Sequence, residues 1–251
     1  MIQLKSPREI EVMAEGGAIL ADTVAFVSER VAPGVTTMDL DTLAEEFIRS
    51  HDGAVPAFKG LYGFPGSICT SINEEIVHGI PSRKRVLREG DLVSVDVGVG
   101  YKGFFTDSAT TVPVGEVDDT SRRLLDVTQR ALEAGIAAAV VNNHLGDIGA
   151  AIHAVVGAER FSVVRNLVGH GIGTEFHEEP QVPNYGKPKR LMKLAAGLTI
   201  AIEPMVNVGT PNTREKSDRW TIVTADGSRS AHFEHTVAVT NEGPRVLTRH
   251  A

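Results

Sequence analysis

A single cysteine, Cys69, leaves the sequence without any internal disulfide, and a chain without disulfides fits a reducing compartment. It also lacks an excess of positive charge. A formal net charge of -7 argues against a protein that binds nucleic acid by neutralising phosphates, which needs a clustered basic surface; only local basic patches remain open. Long apolar runs are missing as well: the longest, Ile136 to Val141 with its neighbours, falls far short of the ~20 residues that span a bilayer. The N-terminal MIQLKSPREIEVMAEGG is charged from Lys5 onward and has no apolar core of the kind a secretory signal needs. These absences predict a soluble cytoplasmic protein with no membrane partner and no direct nucleic-acid specificity.

What is present is ordinary globular material, 42% hydrophobic and 23% charged, enough for a sizeable core. Ser6-Pro7-Arg8-Glu9 sets a cap, a proline at the first helical position and an acid at the third, which starts a helix expected to run to about Val31. Pro33-Gly34 breaks it. Thr36-Thr37 can cap a second helix, in which Leu40, Leu43, Ala44 and Phe47 recur at helical spacing. After a Gly/Pro-rich loop from Gly53 to Gly66, DLVSVDVGV and FFTDSATTVPV alternate as an antiparallel hairpin. The second half repeats the order: helices over Ser121–Val141 and from Leu145 to about Ala158, then strands. A loose internal duplication therefore predicts one α+β domain over residues 1–251, with halves of about 1–118 and 119–251. Helices would cover one face of a curved, mostly antiparallel sheet and leave the other for a site.

The hairpin carries the first informative residues. Centred on Tyr101-Lys102, it would set Asp96 directly opposite Asp107 on one face, with Val93, Val95, Val97 and Val99 on the other. Like charges so placed destabilise a strand pair, and half-buried aspartates need a partner, which a divalent cation supplies economically. A hairpin that simply exposes two acids to water is the alternative. His170 lies among glycines in LVGHGIG, where the backbone can approach a ligand, or it is a satisfied structural histidine. Glu203 sits in the apolar run LTIAIEPM, where an unpaired carboxylate is costly and a buried ion pair is the other explanation. Glu234, in SAHFEHTVAV, has the same setting, with a surface position as its alternative. Together, two Asp, two Glu and one His on or beside strands form a ligand set for two divalent ions, and paired metals about 3.5–4 Å apart support aminopeptidase chemistry.

The order Asp96, Asp107, His170, Glu203, Glu234 resembles that of the pita-bread metallopeptidases. SINEEIVHGIP, DVGVGYKGFFTDSA, GHGIG, AIEPM and FEHT resemble the methionine aminopeptidase branch over nearly the whole chain. The resemblance implies a pseudo-twofold fold around one six-stranded curved sheet. It also implies that Asp96, Asp107 and Glu234 chelate one metal, while His170, Glu203, Asp107 and Glu234 hold the other, with Co, Mn, Fe or Zn all acceptable to such ligands. Glu203 would shuttle the proton of the attacking water. His78 and His177 would contact substrate and stabilise the tetrahedral intermediate; without the resemblance both read as plain loop histidines.

A pocket of Phe64, Cys69, His78, Phe176 and Trp220 would take the methionine side chain, aromatics and a soft sulfur suiting a thioether. Core packing is the alternative for these residues. The sequence departs from the common pattern at Leu61, where an aromatic often sits, with Tyr62 one place on, and at Phe58, where some members carry cysteine. No long insertion separates Glu203 from Glu234, and Cys69 stands alone, so the short type I bacterial form is favoured over type II and over forms with a zinc-binding extension. Prolidase or aminopeptidase P shares fold and ligands but usually adds an N-terminal domain, for which a helix starting near Ser6 leaves no room. A non-catalytic binding protein on this fold would have lost ligands; this sequence keeps all five. The resemblance thus implies a monomer acting on the N-termini of nascent polypeptides, with the ribosome as a candidate partner.

Overall fold

Capping chemistry places the helices. In the computed structural model, which describes residues 2–249, Ser6 and Glu9 close a reciprocal capping box on α1 (Pro7–Ser28), and Thr36 and Asp39 do the same for α2 (Thr37–Arg49). Asp118 caps α3 (Asp119–Ala138) by accepting from the Ser121 amide at 2.8 Å, and α4 spans Leu145–Ala158. The first and third helices end about three residues short of expectation. Past α1, the residue before Pro33 is pushed out of the helical region; past α3, the left-handed Asn142 has already turned the chain. The expected domain limits, 1 and 251, lie outside the described residues.

Fifteen strands are present among the described residues. In the first half they are β1 (Ala54–Pro56), β2 (Ile68–Ile72), β3 (Glu75–Val77), β4 (Leu92–Tyr101) and β5 (Phe104–Pro113). In the second they are β6 (Ser162–Val163), β7 (Gly169–Gly171), β8 (Glu178–Val182), β9 (Thr199–Ile202), β10 (Met205–Asn207), β11 (Thr213–Glu215), β12 (Ile222–Thr224), β13 (Ser230–His232), β14 (Glu234–Thr240) and β15 (Gly243–Val246). The main sheet is curved and runs β1-β4-β5-β14-β9-β7-β8, with β2 attached to β4 and β15 to β14. It therefore has nine strands rather than the six implied by resemblance, because short edge and branch pieces join the longer strands. Its pairings are antiparallel.

Alternation assigns the two faces. Val93, Val95, Val97 and Val99 of β4 are fully buried with Leu20, Val27, Leu40 and Ile48 of α1 and α2. Each such side chain contributes about 1.5–3 kcal/mol on burial. In the second half, Leu124, Ile148 and Ile152 of α3 and α4 pack with Ile200, Ile202 and Val237. The helices thus take one face of the sheet in both halves, and Asp96, Asp107 and Glu234 fall on the other. Among the described residues, no helix is long and apolar enough to cross a membrane.

The expected direct opposition of Asp96 and Asp107 is wrong by two residues. Asp96 pairs with Ala109 and Asp107 with Gly98, because the turn residues are Lys102-Gly103 rather than Tyr101-Lys102. Both turn residues have positive φ, 47° and 84°, and the favoured two-residue hairpin turn puts glycine at the second place. The shift is even, so both carboxylates keep the same face and stand as diagonal neighbours.

Candidate metal centre

Three segments besides the hairpin converge on its acidic face: β7 brings His170, the end of β9 brings Glu203, and β14 opens on Glu234. Asp96, Asp107 and Glu234 are 7%, 5% and 2% exposed, which rules out the solvated-hairpin and surface readings for them. Among the described residues, neither lysine nor arginine lines the cavity they face, so Glu203 has no cation there to form the ion pair that was its alternative. Burial pushes the Asp96 carboxyl up to about 7. It raises Asp107, Glu203 and Glu234 too, each further disfavoured as an anion by its acidic neighbours.

The donor set fits divalent ions. One oxygen each of Asp96, Asp107 and Glu234 is buried without a hydrogen-bond partner. His170 donates Nδ1–H to the Gly171 carbonyl at 2.8 Å, which leaves Nε2 with its lone pair free, and burial holds the ring down to about 4, hence neutral. That Nε2 stands 3.8 Å from Asp107 Oδ2 and 3.7 Å from Glu203 Oε1, beyond hydrogen-bond reach. Atoms bound to one ion at roughly 2.1 Å lie roughly 3–4 Å apart, which matches. Ligand atoms of Asp107, His170 and Glu234 all lie within 4.8 Å of one another.

The cavity above this cluster, about 470 Å³, is lined by all the expected pocket residues: Phe64, Cys69, His78, Phe176, His177 and Trp220. Cys69 pairs with Asp96 across β2 and β4, and burial together with that carboxylate pushes its thiol up, so it acts as an apolar contact. Phe64 and Trp220 meet edge to face at 5.1 Å between centroids, and both line the cavity while packing together. Phe176 lies over Gly98, where a Cβ would come within 2.7 Å of its ring; only glycine lets the aromatic close over the hairpin. His78 sits on the turn after β3 with φ of 60°, a left-handed conformation that is costly for a side-chain-bearing residue and concentrated at functional sites.

His177 sits in the connection from β7 to β8. That connection is held from the chain's far end: Lys5 forms a buried ion pair with Glu178, whose other oxygen accepts from Thr174 at 3.3 Å.

One contributor, His232, escaped sequence reasoning, and Tyr62, Phe58 and Leu61 entered it only as departures at the pocket. Tyr62, read only as a displaced pocket aromatic, stacks on His177 at 5.7 Å, its hydroxyl 3.4 Å from Nδ1. Phe58 packs edge to face on Phe176 at 5.2 Å and, with Leu61, also lines the cavity. His232, two residues before Glu234, is 2% exposed and reaches the same cavity. Strand alternation was the signal that could have found it.

Residues 11–241 match the model of metallopeptidase family M24. The methionine aminopeptidase of Clostridium acetobutylicum is 50% identical over 248 residues, 99% of each chain. Among solved structures, the methionine aminopeptidase of Thermotoga maritima matches with a TM-score of 0.97 at 44% identity, covering 100% of both chains. A Pyrococcus horikoshii prolidase shares the fold alone, with a TM-score of 0.79 and 22% identity over 99% of this chain and 64% of that one. Full-length identity of this degree establishes that the chain belongs to the methionine aminopeptidases of metallopeptidase family M24.

Proposed function

We propose that the protein removes the initiator methionine from nascent polypeptides whose second residue is small, as a monomeric single-domain enzyme in the cytoplasm that holds two divalent ions. The observation that carries the two-ion reading is the convergence of three buried carboxylates, the partly buried Glu203 and one neutral imidazole on one cavity that, among the described residues, has neither lysine nor arginine in its lining. Asp96, Asp107 and Glu234 would hold one ion, and His170 and Glu203, together with Asp107 and Glu234, would hold the second. Four carboxylates balance the charge of two dications. When bound, such ions supply an acidified water and polarise the scissile carbonyl. Co, Mn, Fe and Zn all suit this donor set.

The chain's own groups do the rest. Glu203 takes the proton of the attacking water and delivers it to the leaving amine. His177 and His78 donate to the carbonyl oxygen as negative charge develops there. Tyr62 supports the first of these roles: a phenol donating to Nδ1 of His177 fixes the proton on Nε2. Phe64, Cys69, Phe176 and Trp220 receive the methionine side chain, and Phe58, Leu61 and Tyr62 shape the entrance. The free N-terminus of a nascent chain is the substrate, and a ribosome at the exit point is a natural partner.

Peptides differing only at the second residue test the specificity. Met-Ala and Met-Gly peptides should be hydrolysed and Met-Leu and Met-Arg peptides spared. Equal turnover of Met-Leu and Met-Ala would sink the small-residue claim.

A further inference from the structure

His232 is buried at the metal centre, yet neither of its ring nitrogens has a hydrogen-bond partner. Such a side chain is rare in a folded protein unless a function retains it. Its backbone leaves the ring little freedom. The Thr111 hydroxyl accepts from the His232 amide at 2.8 Å and donates to the His232 carbonyl at 2.9 Å, and β10 pairs on the other side through Met205. Phe233 intervenes, so His232 and Glu234 share a face, and Nε2 stands 3.5 Å from Glu234 Oε2. With Glu234 ionised, as a bound ion requires, the carboxylate can only accept, which puts the ring proton on Nε2.

We infer that His232 is a positioning residue of the metal centre, its Nε2–H holding the Glu234 carboxylate in the orientation that an ion requires. The 3.5 Å contact is long for a hydrogen bond, and contacts of this kind tighten when the site is filled. Partners that orient ligating groups are worth about 10–100-fold in metal affinity. The inference rests on the proposed role of Glu234 as a ligand.

The test is calorimetric titration of metal-free protein with Mn(II) or Co(II), comparing the parent with His232→Gln, His232→Leu and His232→Ala. Glutamine carries an N–H donor about as far from the backbone as the imidazole Nε2; leucine fills similar space without one. Two donorless variants guard against a folding failure in either, checked by melting of the metal-free proteins. Expected is a loss of about 10–100-fold in affinity for folded Leu or Ala variants and a loss under about 3-fold for Gln. The d–d absorption of the Co(II) protein should shift in the donorless variants, a signature that a merely structural role would not move. Parental affinity in a folded donorless variant would overturn the inference, as would a Gln variant as weak as Leu. A parent that binds neither metal would instead overturn the reading of Glu234 as a ligand.

Discussion

The hydroxyl of Thr236 makes two hydrogen bonds to one residue of the neighbouring strand, accepting from the Asp107 amide at 2.9 Å and donating to the Asp107 carbonyl at 2.8 Å. Between β5 and β14 the backbone ladder has only two registered pairs, Glu234 with Ala109 and His235 with Ser108. Thr236 extends it at one end and Thr111 at the other, so side-chain hydroxyls anchor Asp107 and His232 where the strands diverge.

Thr236→Val keeps the shape and removes both bonds, leaving buried backbone groups of Asp107 without these partners. An unsatisfied buried group costs about 1–3 kcal/mol, so denaturant unfolding should show a loss of at least about 1 kcal/mol. Divalent-ion affinity should fall with it, since Asp107 is released. Unchanged stability and unchanged affinity would mean that the hydroxyl anchors nothing.

The metal-free protein should lose stability as pH rises above about 7.5, once the histidines are neutral in both states. Asp96 ionises near 3.8 when unfolded and at about 7 when folded, with Asp107, Glu203 and Glu234 also raised. A folded carboxyl raised in this way contributes stability below its unfolded value, and that contribution is lost as pH climbs through the folded value. Buried His170, His232 and His235, all lowered from 6.5, act oppositely, weakening the fold as pH falls below 6.5. Their remaining charge in the unfolded state fades over about one pH unit above 6.5, and beyond that the raised carboxyls dominate. Melting of chelated protein from about pH 7.5 to 8.5 reads the slope; a rise in melting temperature over that range would contradict it.

Metal should reverse this trend, since ligand at 100 times its Kd stabilises by about 2.7 kcal/mol. Asp96→Asn should be neutral or stabilising in chelated protein and lose most of the metal-induced shift. Equal shifts in parent and variant would remove Asp96 from the ligand set.

Glu203→Gln and His177→Ala should each lower kcat more than they raise KM, because proton shuttling and oxyanion contact act mainly in the transition state. Steady-state kinetics on a methionyl tripeptide measures both; an effect on KM alone would give that residue a binding role.

Much of the site was legible because its signals are local. Ser6 with Glu9 and Thr36 with Asp39 announce their helices within four residues, and Asp96, Glu203 and Glu234 stand out as charges in apolar strand runs. The hairpin register was not, since Gly100 and Gly103 both read as turn markers. Gly100 instead lies inside β4, where a Cβ would come within 3.0 Å of Phe105 and of Val55. Lys5 and Glu178 meet across 173 positions, and no local pattern announces such a pair. The stacking of Tyr62 on His177 was not legible, because a 73% exposed aromatic in a loop carries no periodicity to place it there.

Hydrolysis of Met-Ala-Ser by chelated protein, with Co, Mn, Fe or Zn restored in turn, bears most directly on the central reading. Free methionine should appear only with metal, and an Ala-Pro dipeptide should remain intact under the same conditions. Release of methionine by thoroughly chelated protein, no release with any of the metals, or faster cleavage of Ala-Pro than of Met-Ala-Ser would contradict a metal-dependent methionine aminopeptidase.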